Sequence, residues 1–158
     1  VSATSCRHHG RLSGISSRDR LAECVHQVNA GQRAAVAMSL MMSGALVLDQ
    51  KARDVLGAFL LQFGQLLELD VAGSIEYFYN VTNMVDCIDP DRSEKRSTGV
   101  IVKEAFRDGA VPTAPSVFKD PLTAGTRLYV NSEGKDLLEG LVAGAGITGL
   151  EFAEPGAR

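Results

Sequence analysis

The residues with the widest chemical range lie in one stretch, Ile75 to Lys95, which reads IEYFYNVTNMVDCIDPDRSEK. Cys87 is a candidate nucleophile, but a thiol must be activated by a base or a positive neighbour, and His26 is the one plausible histidine for that work. Asp86 and Asp89 form a carboxylate pair. Acid–base chemistry by such a pair requires environments that separate their pKa values, and a polar turn around Pro90 offers none. Asp86, Asp89 and Asp91 could give oxygens to a cation, yet Pro90 interrupts the spacing and the Gly and later Glu of a calcium loop are missing. Cys87 has no neighbouring His or second Cys for zinc. The remaining ligand sets, Cys6 with His8 and His9 or Cys24 with His26, fall in a tail that reads as solvated and on a predicted helix. Gly144-Ala145-Gly146 follows a helix instead of opening one, so it reads as a stop and not a phosphate cradle. These residues predict no catalytic constellation, no metal and no cofactor.

The chain that must position these residues has 158 residues, 22% of them charged and 45% hydrophobic, with a net charge of −3. That length suits one domain able to bury roughly 68–70% of its unfolded surface. Without a basic block the composition argues against nucleic acid and weakly favours a basic partner. Cys6, Cys24 and Cys87 form no CxxC and are odd in number, so they read as reduced thiols of a cytoplasmic protein. The uncharged run from Ala34 to Leu48 is too short to cross a bilayer, which needs about 20 apolar residues. The expected organisation is a flexible tail over 1–16, a single α+β domain over 17–154 and a C-terminal tail over 155–158.

Periodicity supplies the elements. Ser17 as a cap, then Leu21, Cys24, Val25 and Val28, predict a helix that stops at Gly31. Arg33 to Met42 suits a strand or a buried helix equally. ALVLD is a short strand, and Asp49 then caps a helix whose inner face is Val55, Leu56, Phe59, Leu60 and Phe63. Gly64 is expected to end it before the strand QLLELDV. In SIEYFYNVTNM, alternation sets Ile75, Tyr77, Tyr79 and Val81 on one face and Glu76, Phe78, Asn80 and Thr82 on the other. A turn at Pro90 follows, then strands in TGVIVKEAF and SVFKD. Near the end RLYVN is a strand, Asn131 a cap, and Leu137, Leu138, Leu141 and Val142 a helical face before the strand ITGLEF.

The two strand–helix–strand units superpose: Leu46 on Leu128, Asp49 on Asn131, Asp54 on Asp136, Leu56 on Leu138 and Gly64 on Gly146. One inserted residue later, LLEL meets GLEF. This is either a structural duplication or the family look of any two β-α-β units. The fold class expected is α+β, a mixed or antiparallel sheet with flanking helices that contains two similar β-α-β units.

The run EYFYNVTNMVDCIDPDRSE resembles the central signature of the bacterial immunity protein 11 family, an aromatic-Asn-Val stretch followed by a Val-Asp-x-x-Asp turn closing on Ser. The matching residues are Tyr79, Asn80, Val81, Val85, Asp86, Asp89 and Ser93. GVIV, SVFKD and the last strand–helix–strand with Gly149 and Phe152 continue the likeness, which covers about residues 44–154. Lys119 departs from the Arg more usual there. The resemblance implies a protein of polymorphic toxin systems that binds and neutralises a toxin domain, and it carries over no catalytic residue.

The functional expectation is a non-enzymatic, cytoplasmic binding protein whose partner is a protein such as a cognate toxin, with no nucleic acid and no membrane. Tyr77 and Tyr79 would anchor the partner, and Asp86, Asp89, Asp91 and Glu94 would offer acids to it. The plainer alternative makes the tyrosines core and the acids a solvated turn. Two further readings stand beside it: an accessory protein of a mobile-element gene cassette, acting as a homodimer or small-ligand binder, and a small enzyme using Cys87 or the Asp86/Asp89 acids.

Overall fold

A computed structural model describes residues 25–30 and 44–155, with the side chains of residues 29 and 30 left aside. The protein is α+β with antiparallel sheets. Among the described residues nine strands, β1 (Val25–Ala30), β2 (Leu46–Leu48), β3 (Gly64–Val71), β4 (Ser74–Val81), β5 (Glu94–Lys95), β6 (Ile101–Lys103), β7 (Val117–Phe118), β8 (Tyr129–Asn131) and β9 (Leu150–Ala153), accompany two helices, α1 (Gln50–Leu60) and α2 (Ser132–Ala145). The strands form three sheets, ordered β2-β4-β3, β7-β8-β1-β9 and β5-β6.

Both expected β-α-β units are present, and in each the two outer strands flank a third that runs antiparallel to both. In the first unit β4 lies between β2 and β3; in the second β1 lies between β8 and β9. The caps match as the alignment requires. Asp49 Oδ1 accepts the Ala52 N–H at 2.7 Å, and Asn131 Oδ1 accepts the Gly134 N–H at 3.0 Å. Leu46 stands opposite Tyr79 in the ladder, and the Val28 N–H reaches the Leu128 carbonyl at 2.9 Å. Leu46, Leu56 and Tyr79 line one void of ≈ 10 Å³ together with their counterparts Leu128, Leu138 and Val28. The helices pack on each other there. Gly44 (φ 76°) lets the first unit approach the second, since a Cβ on it would fall 2.5 Å from the Arg127 nitrogen.

Four expectations need correction. Val25 to Ala30 is a central strand, not the end of a helix. The i, i+3 spacing of Val25 and Val28 arises because both faces are buried: Val25 enters one apolar cluster and Val28 the other. The segment 17–24 of that predicted helix, residues 31–43, and Cys6, His8, His9 and Cys24 lie outside the described residues. Gly64 is not the stop of α1, which ends on Leu60 with Leu61 as its cap. It opens β3, where a Cβ would fall 2.3 Å from the Asn80 carbonyl oxygen. The unit alignment also slips at its end. Phe152 stands opposite Val28 as Leu66 stands opposite Tyr79, so the second connection is longer than one inserted residue. Finally, Pro155, assigned to the tail, is buried.

The β3–β4 hairpin turns through Ala72 (φ 54°) and Gly73 (φ 87°), the paired positive φ of a two-residue type I′ turn. In such a hairpin the closing pair, Val71 with Ser74, is hydrogen-bonded, and the alternation carries along the sheet. The even-numbered residues of β4 therefore bond β3, and Tyr77 and Tyr79 bond Leu48 and Leu46 of β2. Val47, between them, turns its N–H and C=O to the outer edge.

Candidate interaction surface

The stretch that opened the sequence analysis divides into a core strand and a clamped loop. The alternation in β4 is as expected for Tyr77, Tyr79 and Val81, which are buried, although Ile75 is 51% exposed. Tyr79, only 1% exposed, donates its hydroxyl to the Leu60 carbonyl at 2.7 Å. Tyr77 donates to Gln50 Oε1 at 2.7 Å, and its ring lies under Arg53. Both rings are spent on packing sheet against helix, so neither offers a partner an anchor without opening the core.

After β4 the chain runs through a long irregular platform held by side-chain to backbone bonds. Asp120, fully buried, is its principal clamp. Its Oδ2 accepts the N–H of Cys87 and of Ile88, each at 2.8 Å, and its Oδ1 accepts the Leu122 N–H at 2.8 Å. Asp89 closes the turn on itself by accepting the Asp91 and Arg92 N–H groups and the Arg92 Nε. The Arg92 bond holds the Asp89 carboxyl below the usual carboxylate range. Ser93 Oγ donates to the Asp89 carbonyl at 2.6 Å and accepts the Ala105 N–H at 3.0 Å. At the far side Glu104, with a fully buried side chain, pairs with Arg127 and accepts the Tyr129 hydroxyl, which also meets Thr123 Oγ1.

These clamps decide the chemistry of Cys87. Its side chain is buried among Ile88, Phe106 and Tyr129, and burial, with the Asp120 charge second, pushes the thiol up to about 12. At neutral pH it is a protonated core residue, not a thiolate. Of the acids, Asp86 bonds Arg107 at 2.8 Å and Glu94 lies 3.7 Å from Lys103. Asp91 alone of the four carries no side-chain partner. From Asp86 to Asp108 six acids are met by five bases, so the rim is a mixed charged surface and not a continuous acidic field. Among the described residues no three His, Cys, Asp or Glu side chains converge as metal ligands, and no helix is long and apolar enough to cross a membrane.

Two sheets thus meet different fates. On the β7-β8-β1-β9 sheet, the outer face (Val25, Phe118, Tyr129) is covered by Cys87, Ile88 and Phe106 of the platform. The edge of β8 is closed by β7, which is itself flanked by Asn83 to Val85. On the β2-β4-β3 sheet, Val47, Phe78 and Leu67 stand directly opposite one another across all three strands. This row lies on the face away from Tyr79 and α1, and Leu67 is 45% exposed. The outer edge of β2 borders a groove of ≈ 330 Å³. No family model, curated protein or solved structure matches this chain.

Sequence reasoning found the acids of the rim but missed Asp120, Glu104 and the Val47–Phe78–Leu67 row. The row was legible in part, because Phe78 was assigned to the outer face. What was lacking was the strand order that brings Val47 and Leu67 beside it.

Proposed function

We propose that the protein is a non-enzymatic binding protein that neutralises a toxin domain by direct contact, in the manner of an immunity protein. The observation that supports this reading is the outer face of the first unit's sheet, where among the described residues an apolar cross-strand row lies beside an unpaired edge, while Val25, Phe118 and Tyr129 on the outer face of the second sheet are covered by the platform. Apolar rows of this kind are what protein partners bury. The platform adds a preorganised rim. Asp91 and Glu94 stand on a turn already fixed by Asp89 and Ser93, so ordering costs on association are small. Exposed pairs such as Asp86–Arg107 contribute at most about 1 kcal/mol, so a basic partner can exchange into them.

The test is capture from the native host with tagged protein, followed by an activity assay of the captured domain. The expected result is one small toxin-like domain, retained at high salt and inhibited on binding. Leu67→Arg should weaken that complex by about 2 kcal/mol or more while the circular dichroism spectrum is unchanged. A toxin encoded beside this protein that is not bound, or is bound and stays active, overturns the reading.

A further inference from the structure

The second unit contains a worked example of what the first unit lacks. On β8, Tyr129 and Asn131 turn their backbone groups outward, and β7 takes them up: Phe118 pairs with Tyr129, and the Asn131 N–H reaches the Ser116 carbonyl at 3.2 Å. Asn131 Oδ1 accepts the Ser116 N–H at 2.9 Å as well as capping α2. Val117, opposite Val130, enters the core that Leu138 shares. In the first unit the corresponding groups are Val47, Asp49, Leu48 and Leu56, and the corresponding place is the ≈ 330 Å³ groove. We propose that this groove takes an extended segment of the protein partner by strand addition, antiparallel to β2, as β7 adds to β8.

The groove also states the chemistry of its occupant. Asp49 and Glu76 both line it and lie side by side at the end of the β2–β4 ladder, with Lys51 the single basic residue among the described lining residues. Asp49 uses one oxygen to cap α1 and leaves the other without a partner. A residue at the place of Ser116 therefore meets two carboxylates and should be Lys or Arg. The next residue, at the place of Val117, points over Ala52 and Leu56 and should be apolar and β-branched. The third sets its N–H and C=O against Val47 and lays its side chain beside the Val47–Phe78–Leu67 row. One difference from β7 limits the fit. A Cβ on Gly134 would meet the Ser116 nitrogen at 3.0 Å, and its counterpart Ala52 carries that methyl. The occupant's first residue accordingly stands slightly farther from α1 than Ser116 does from α2.

The proposal rests on the reading of the protein as a binding protein but not on which toxin it meets. It is tested on the isotope-labelled full chain with the capped peptide acetyl-Thr-Lys-Val-Phe-Thr-amide. At millimolar peptide the amide signals of Val47, Asp49 and Thr148 should shift and saturate. N-methylation of the peptide's Phe removes the N–H that faces Val47 and should abolish the shifts. Asp49→Asn keeps the cap, as Asn131 does, and should weaken binding about fivefold through loss of one charge. Absence of shifts, or equal binding by the N-methyl peptide, overturns the proposal. So does a Val47 amide already protected from exchange in the free chain, which would place the chain's own residues on the edge. A toxin complex that leaves the groove signals unmoved overturns the groove and spares the toxin reading. Peptide binding by a protein that neutralises no toxin does the reverse.

Discussion

The two β-α-β units share caps, ladder parity and core positions, yet among the described residues they are covered to different degrees. The second has β7 on its edge and the Cys87–Ile88–Phe106 platform on its outer face. The first has a groove on its edge and Leu67 in solvent on its face. A free strand edge and an apolar outer row invite unwanted pairing, and proteins usually cover both. Among the described residues the chain covers them on one unit and not on the other, and the proposed binding role gives the uncovered pair a use.

The largest effect should come from undoing the cover of the second unit. Asp120→Ala leaves the N–H groups of Cys87, Ile88 and Leu122 without their acceptor, and at about 1–3 kcal/mol per orphaned buried donor the loss should reach about 3 kcal/mol or more. Chemical denaturation measures it. Hydrogen exchange should show Cys87 and Ile88 opening first, while Tyr79 of β4 keeps its protection. Equal loss of protection in both units would show that the cover is not a separate structural layer.

Next in size are the matched core positions. Leu56 and Leu138 are both almost fully buried, at 1% and 2% exposure, and both line the shared void. Leu56→Ala and Leu138→Ala should each cost about 2–4 kcal/mol, by lost transfer energy and by the cavity left behind. Near-equal midpoints in urea would sharpen the equivalence of the units. A difference above about 2 kcal/mol, outside the usual spread of such series, would break it.

How much of this was legible in the sequence follows from the kind of signal each feature leaves. Caps and helical faces are local, so Asp49, Asn131, Leu56 and Leu138 were placed correctly from spacing alone. The central strand β1 was misread because a strand buried on both faces has no alternation to detect, and Val25 and Val28 happened to fit a helix. The tyrosines were read two ways, as partner anchors and as core, since aromatic content does not say which side of a sheet faces the helix, and their burial fits the core reading. Asp120 was invisible. A buried aspartate that bonds backbone more than thirty positions away has the same local sequence as one in a solvated turn. The groove was equally hidden, because it lies at the edge of a strand order, among the described residues, that local sequence does not reveal.

A smaller effect separates the two helix starts. Gly134 lies against β7, and Gly134→Ala would press a methyl on Val130 Cγ2 at 2.7 Å and on the Ser116 nitrogen at 3.0 Å. The overpacking should cost about 1–3 kcal/mol, even though Ala is the better helix former. Ala52→Gly in the first unit should cost no more than about 1 kcal/mol and should admit the Lys-Val-Phe peptide more closely. If Gly134→Ala were stabilising, β7 would not be held where the comparison places it.

The finest test is the reciprocal exchange of the caps. Both side chains accept the N–H at the third helical position, so the cap itself should survive either change. Asn131, however, also donates through Nδ2 to the carbonyls of Pro112 at 2.9 Å and Ala114 at 2.6 Å. Asn131→Asp replaces that donor with a charged acceptor facing two carbonyls in part-buried positions, and should cost about 1–3 kcal/mol. Asp49 faces an open groove, where Asn serves equally as a cap, so Asp49→Asn should change stability by less than about 0.5 kcal/mol. The two substitutions differ in whether a strand is seated beside the cap and in the two bonds that Asn131 Nδ2 makes to the 112–114 loop. Equal costs would therefore mean that Asp49, like Asn131, holds bonds beyond its cap. Unequal costs, with Asp49→Asn nearly silent, would mean that the first unit carries an acid where stability does not require one, which is where recognition would use it.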